Sequence, residues 1–364
     1  MTFFRLWLLV AVSSSLLAGT DGRRKLWELD LARFVKGQKD LAAVVWGISF
    51  SPDESKVAIG FGPYPGRDPN PQRIVIIPVV SPSTVLRQFD VSLMNHVLSA
   101  FAWSPSGTAL VVGDRLAAPV MLSMDKEPAC TFAEHSQFGG FLSGDRMVLT
   151  GPGSGVRIVR RDGSLVKSWK TGVDDTTVLG TSPEQDLIAI LIRSGKGSSV
   201  TELWSAAGDV KQRWNWNAME TIAAFRGGFQ FADKGRLFCS GYASGDELNR
   251  SNVLCWDTHS GSIVAKNANV VLSHGSIHSS GGGLLAITDY SITRRAGKLW
   301  KLLDAGGDFV VPRRRLIWDV RTGKELTSWT GPTIKPSSVL ALSPGGKCAA
   351  DGDSGSVRVY ALQP

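Results

Sequence analysis

The feature that most limits what this chain can fold into is a short turn that returns seven times. It stands at Phe50-Ser51-Pro52, Trp103-Ser104-Pro105, Leu142-Ser143-Gly144, Thr181-Ser182-Pro183, Phe231-Ala232-Asp233, Ser279-Ser280-Gly281 and Leu342-Ser343-Pro344. Each turn follows one apolar, strand-like run and precedes another, such as Lys56 to Gly60 or Ala109 to Val112. Measured at the Ser51 position, the spacings are 53, 39, 39, 50, 48 and 63 residues, against the roughly 40 to 45 that one four-stranded blade occupies. A unit of that length cannot bury both faces of its own sheet, whereas stacking units around an axis does. The surplus residues are expected in loops. At 43% apolar and 20% charged over 364 residues, the chain can supply the core that such a ring needs.

The order inside each unit is also repeated. A third strand ends in Trp256-Asp257 and Trp318-Asp319, with weaker copies at Trp204-Ser205 and Trp27-Glu28. A glycine turn follows at Gly163, Gly208, Gly261 or Gly323, and six residues later comes Trp169, Trp214, Asn267 or Trp329. Aromatic rings at that position suit an outer strand that seals one blade against the next. The ends are complementary: Val357 to Leu362 reads as a third strand with no fourth after it, and Lys25 to Leu31 as a strand with no blade before it. Joining them completes blade seven and removes exposed sheet edges.

With these openings, the two Trp-Asp dipeptides and the Thr322-Gly323-Lys324 turn, the chain resembles the WD-repeat β-propeller family over about residues 22 to 364. The resemblance implies an all-β, seven-bladed β-propeller of four-stranded blades, closed by an N-terminal strand. No Gly-His dipeptide occurs, so the hydrogen-bond tetrad usual in that family cannot form in its ordinary way, and apolar packing must carry more of the contact between blades.

Ahead of the repeats, one cation at Arg5 precedes the apolar stretch Leu6 to Ala18 and the small residues Ala18 and Gly19. This is the pattern of a signal peptide over residues 1 to 19, and the run falls short of the ~20 residues that span a bilayer. Thr20 stands where a lipidated cysteine would be, which argues against lipidation. A secreted or periplasmic location is expected, with anchoring to a membrane by an uncleaved N-terminal segment as the alternative.

Lys and Arg outnumber Asp and Glu by 40 to 32. The long connections, Phe61 to Gln72, Arg193 to Ser199, Tyr242 to Ser251 and Ser291 to Arg314, all follow the second strand of a unit, so they should emerge on one face of the disc, where binding sites concentrate. The last is the most basic: Arg294, Arg295, Lys298, Lys301, Arg313, Arg314 and Arg315 stand against Asp304 and Asp308 between residues 291 and 315. Helical spacing places Ala296, Leu299 and Leu303 on one side of this segment. These cations and Trp300 are the expected partner-binding residues, for an acidic protein surface or an anionic envelope component, with peripheral membrane contact included. One aromatic does not make a stacking platform, so nucleic acid is not expected. The chain is expected to be a monomer.

Catalysis finds little support. Five histidines are present, and His274 and His278, four apart, lack the helix and the Glu of a zincin. Asp351-Gly352-Asp353-Ser354-Gly355 reads as a hairpin turn rather than a calcium loop, and Gly151 to Gly155 as another. No catalytic residue, metal or cofactor is assigned. The other class in view is a propeller hydrolase or quinone-dependent dehydrogenase with its site at the central channel, for which Asp319 to Lys324 is the only fragment. Of the four cysteines, Cys239 faces Cys255 if the blade-five hairpin pairs Gly241 with Val253, and the two are a candidate disulfide in an exported chain.

Overall fold

The computed structural model describes residues 22–34, 44–62, 72–91, 98–114, 118–125, 130–132, 136–151, 155–171, 176–193, 199–216, 228–243, 251–272, 277–293, 309–330, 339–353 and 355–363. They form seven antiparallel sheets of four strands each, here labelled a (innermost) to d (outermost). Blade one is Val44–Phe50, Lys56–Gly62, Gln72–Pro78 and Arg87–Val91, and blade two Leu98–Trp103, Ala109–Asp114, Val120–Ser123 and Cys130–Thr131. Blade three is Gln137–Phe141, Met147–Gly151, Gly155–Val159 and Leu165–Trp169, and blade four Thr176–Ser182, Leu187–Arg193, Ser199–Ser205 and Val210–Trp216. Blade five is Phe229–Ala232, Leu237–Ala243, Ser251–Asp257 and Ile263–Asn267, and blade six Ile277–Gly281, Leu284–Thr293, Phe309–Asp319 and Lys324–Trp329. Blade seven takes a, b and c from Val339–Leu342, Cys348–Asp353 and Ser356–Leu362, and d from the other end of the chain, Arg23–Asp30. The a strands touch their neighbours in a closed ring, blade seven against blade one included. The seven-bladed propeller with N-terminal closure is the fold that the repeats predict.

All seven repeated turns join strand a to strand b. Strand b is covered by sheets on both sides, so it reads as a continuous apolar run rather than an alternating one: Val57 to Ile59, Ala109 to Val112 and Ile188 to Ile190 are all buried. Outer strands are half covered, as in the exposed Leu165 to Ser168. Irregularities recur with the repeat. Strand a carries one extra residue at Trp46, Ser99, Gly139, Leu179 and His278, and strand d at Val166, Lys211, Val264, Leu326 and Leu26. Such bulges bend and twist a strand, which a blade must do from axis to rim.

The outer-strand tryptophans seal blades as expected. Trp169 stacks on Trp204 of the next blade with centroids 5.4 Å apart, and Trp214 stacks on Phe238 at 5.7 Å. Trp329 leans on Tyr360 of blade seven. Near the axis the approach is closer still: a Cβ on Gly281 would overlap the Ser343 carbonyl of blade seven.

Strand alternation sends the a–b and c–d connections to one face, the turn face, and the b–c and d–a connections to the other, the loop face. On the turn face the a–b connections are uniform, at 51–55, 104–108, 142–146, 183–186, 233–236, 282–283 and 343–347. On the loop face the b–c connections range from 354–355 and 152–154 to 63–71 and 294–308. The blade-six loop is therefore shorter than the expected span from Ser291 to Arg314. Its b and c strands continue to Thr293 and from Phe309, pairing Ser291 with Val311 and Thr293 with Phe309, because the β-branched run on both sides favours the ladder over an open loop.

Candidate functional site

The loop-face end of blades six and seven gathers the described members of the basic cluster. Arg313, Arg314 and Arg315 lie on strand c of blade six, not in a loop. Residues 294 to 301, with Arg294, Arg295, Lys298, Trp300 and Lys301, fall outside the described residues.

Each of the three described arginines meets a carboxylate. The hairpin register sets Asp289 opposite Arg314. The Asp289 side chain, wholly buried, accepts from Arg313 and from Arg314 Nε at 2.9 Å, while its other oxygen accepts the Val271 N–H at 2.9 Å. Arg314 also donates from Nη1 to both oxygens of Glu325 at 2.9 Å. Arg313 stays about half exposed, with 51% of its side chain in solvent. Arg315 points inward, buried against Asp351 of blade seven. Three positive charges thus face Asp289, Glu325 and Asp351, and this part of the cluster is compensated within the fold. The sequence pattern misses these acids because they lie on other strands, although the pairing logic that aligns the cysteines of blade five, applied to the blade-six hairpin, would have placed Asp289.

The contact between blades six and seven extends around Arg315. Trp329 Nε1 donates to Asp351 Oδ2 at 3.1 Å. The guanidinium of Arg23, on the closing strand, lies 4.3 Å from the Trp329 ring centroid and 4.7 Å from that of Tyr360. Burial lowers the Arg315 pKa to about 10, against the opposing pull of Asp353, Tyr360 and Tyr290, so it stays charged at neutral pH. His278, at the bulge of strand a, shares a 2.7 Å hydrogen bond between Nε2 and Thr288 Oγ1. Burial and then the Arg315 charge push its imidazole down to about 3, so the ring is neutral near pH 7 and is no general base poised for that range. Among the described residues, no group of three or more His, Cys, Asp and Glu side chains could hold a metal ion.

The remaining sequence candidates have plain positions. The Asp257 and Asp319 carboxylates of the Trp-Asp pairs accept the N–H groups of their own c–d turns, from His259 and Ser260 and from Arg321. Asp351 and Asp353 belong to strand b of blade seven, and Gly151 pairs with Gly155 across a hairpin. Cys239 and Cys255 are opposite each other in the ladder and joined as a disulfide, fully buried. His96, His135 and His274 lie outside the described residues. No protein-family profile matches the chain, and no curated protein matches it.

Proposed function

We propose that this chain is an exported, WD-repeat-like propeller that acts as a rigid binding platform for a protein or an anionic envelope component, with recognition on the loop face around blade six. The observation behind this reading is the contrast between the faces: short, near-uniform a–b turns on one side and b–c connections of very unequal length on the other. Variable loops on a closed scaffold are the usual arrangement of a recognition surface. Because Arg314 and Arg315 are engaged with buried or half-buried carboxylates, the positive charge for a partner is assigned to Arg294, Arg295, Lys298 and Lys301, with Arg313 at its border. We assign no catalytic role to any residue, and we read residues 1 to 19 as a removed export signal.

The test compares cross-linked capture from the native envelope fraction by the intact protein and by a variant with those four residues changed to Glu, leaving Arg313 to Arg315 in place. A defined partner retained by the intact protein and lost by the variant supports the platform. Equal capture by both removes the basic loop from the reading. Sequencing the N-terminus of the exported protein checks the processing site near residue 19.

A further inference from the structure

The exposed large aliphatic side chains of the described residues are not scattered: they follow one edge of the disc. Leu165 and Val166 in blade three, Val210 in blade four, and Ile263 and Val264 in blade five are the first residues of their outer strands, at the rim of the turn face. Blade one repeats the pattern just before its outer strand, where Val80 is 90% exposed and Leu86 44%. Blade seven adds Leu26 at the bulge of the closing strand. Single exposed aliphatics need no explanation, but their confinement to one rim does.

The rim is continuous across blades three to five. Lys167 Nζ bonds the Ala207 carbonyl of blade four, and Gln212 Nε2 donates to the His259 carbonyl of blade five at 2.7 Å. Cations border the aliphatics at Arg87, Lys167, Lys211 and Lys266. Among the described residues no carboxylate pairs with Arg87, Lys167 or Lys266, whereas Lys211 pairs with Asp209 at 4.0 Å, and the acids of the adjoining turns, Asp162, Asp257 and Asp319, accept hydrogen bonds from those turns' own N–H groups. An aliphatic side chain next to a long cationic one is the composition that seats a protein at the boundary of acyl chains and anionic headgroups.

We propose that the outer edge of the turn face is a lipid-contact surface that seats the propeller on an anionic bilayer. The loop face then points away from that bilayer, so this surface is separate from the one assigned above to the partner. Seating requires no part of the apolar stretch Leu6 to Ala18, because every described strand lies at or after Arg23.

The test is co-sedimentation of the chain from residue 20 onward, which keeps every described element, with vesicles of phosphatidylglycerol and phosphatidylcholine or of phosphatidylcholine alone. Expected are binding to the anionic vesicles that weakens with salt, and a drop of about tenfold or more for each of two variants. One carries Leu165→Ser, Val166→Ser, Ile263→Ser and Val264→Ser, the other Arg87→Glu, Lys167→Glu and Lys266→Glu. All seven are exterior positions, and a near-UV circular dichroism spectrum matching the parent verifies that each variant is folded. The loop variant of Arg294, Arg295, Lys298 and Lys301 should bind as the parent does. The proposal is overturned if the parent ignores anionic vesicles, if both rim variants bind like the parent, if only the loop variant loses binding, or if the rim changes alter only a concentration-dependent molecular mass, which would make a second copy of the chain the occupant.

Discussion

At the scale of single residues, the propeller is held by acids that reach from one blade to the one before it. Asp145, in the a–b turn of blade three, accepts the N–H and hydroxyl of Ser106 in blade two. Asp186 does the same for Ser143, with a 2.9 Å bond from each, and adds Arg146 Nη2 at 2.7 Å. Glu54 spans the closure to the Gly345 N–H and to Lys347 of blade seven. All three acids sit in the left-handed region, with φ of 57°, 51° and 58°, a conformation uncommon outside glycine and best tolerated by Asp and Asn. For Asp186, burial pushes the pKa up, but the Ser143 hydrogen bonds and the Arg146 charge outweigh it, and the carboxyl is held below its ordinary value. A carboxylate with a depressed folded pKa binds fewer protons folded than unfolded. Its stabilisation is therefore complete above the unfolded value near ~4 and disappears as pH falls through the folded one. Asp186→Asn should cost about 1 kcal/mol at pH 7, a figure reduced for partial exposure. Denaturant titrations of both proteins should converge as the pH is lowered below ~4; a constant difference down to the acid limit would contradict the assignment. The serines of these turns are plain in the sequence as the repeat's landmarks. The acids are not, since their partners are set by the stacking of blades and nothing local marks an Asp as bound for left-handed backbone.

At the scale of elements, the hairpins of blades five and six show how far pairing logic carries. The blade-five hairpin has the register that aligns Gly241 with Val253, and Cys239 then opposes Cys255 with Cα atoms 4.1 Å apart, the short spacing of a pair without ladder hydrogen bonds. Alkylation of the denatured, unreduced chain should modify two of the four cysteines, Cys130 and Cys348; four modified would exclude the bond. Replacing both bonded cysteines with Ala should lower stability by about 2–3 kcal/mol, within the range for a loop of this length. In blade six, the same logic applied to the run around Arg314 would have found Asp289. What hides it is the reading of 291 to 314 as a single charged loop, in which alternation is masked by cations on consecutive positions of one strand. The aromatic seals Trp169, Trp214 and Trp329 are legible because strand d repeats its distance from the preceding glycine. The bulges in strands a and d are not, since their cause is the bend each blade takes around the axis.

At the scale of the molecule, the blade number follows from seven turns and the closure from two unmatched ends, so the architecture is almost wholly legible. The rim of aliphatics is not, because its members are spread from Leu26 to Val264 and only the ring makes them neighbours. Closure also makes a prediction at this scale. Removing residues 356 to 364 takes the partner of Arg23–Asp30 and leaves strand b of blade seven with an open edge. The shortened chain should lose its cooperative unfolding transition and aggregate, as seen by light scattering and near-UV circular dichroism; a soluble, cooperatively unfolding product would show that six blades suffice.

The bond between Arg358 Nε and Glu28 Oε1 joins residues 330 positions apart. On the ribosome, the closing strand emerges before every other described strand of the propeller and its mate after all of them. Until Ser356–Leu362 emerges, the nascent chain therefore carries a strand with nothing to pair with, and completion of the ring waits for that mate. A chaperone that shields one strand, Arg23–Asp30, through that interval would protect the whole assembly.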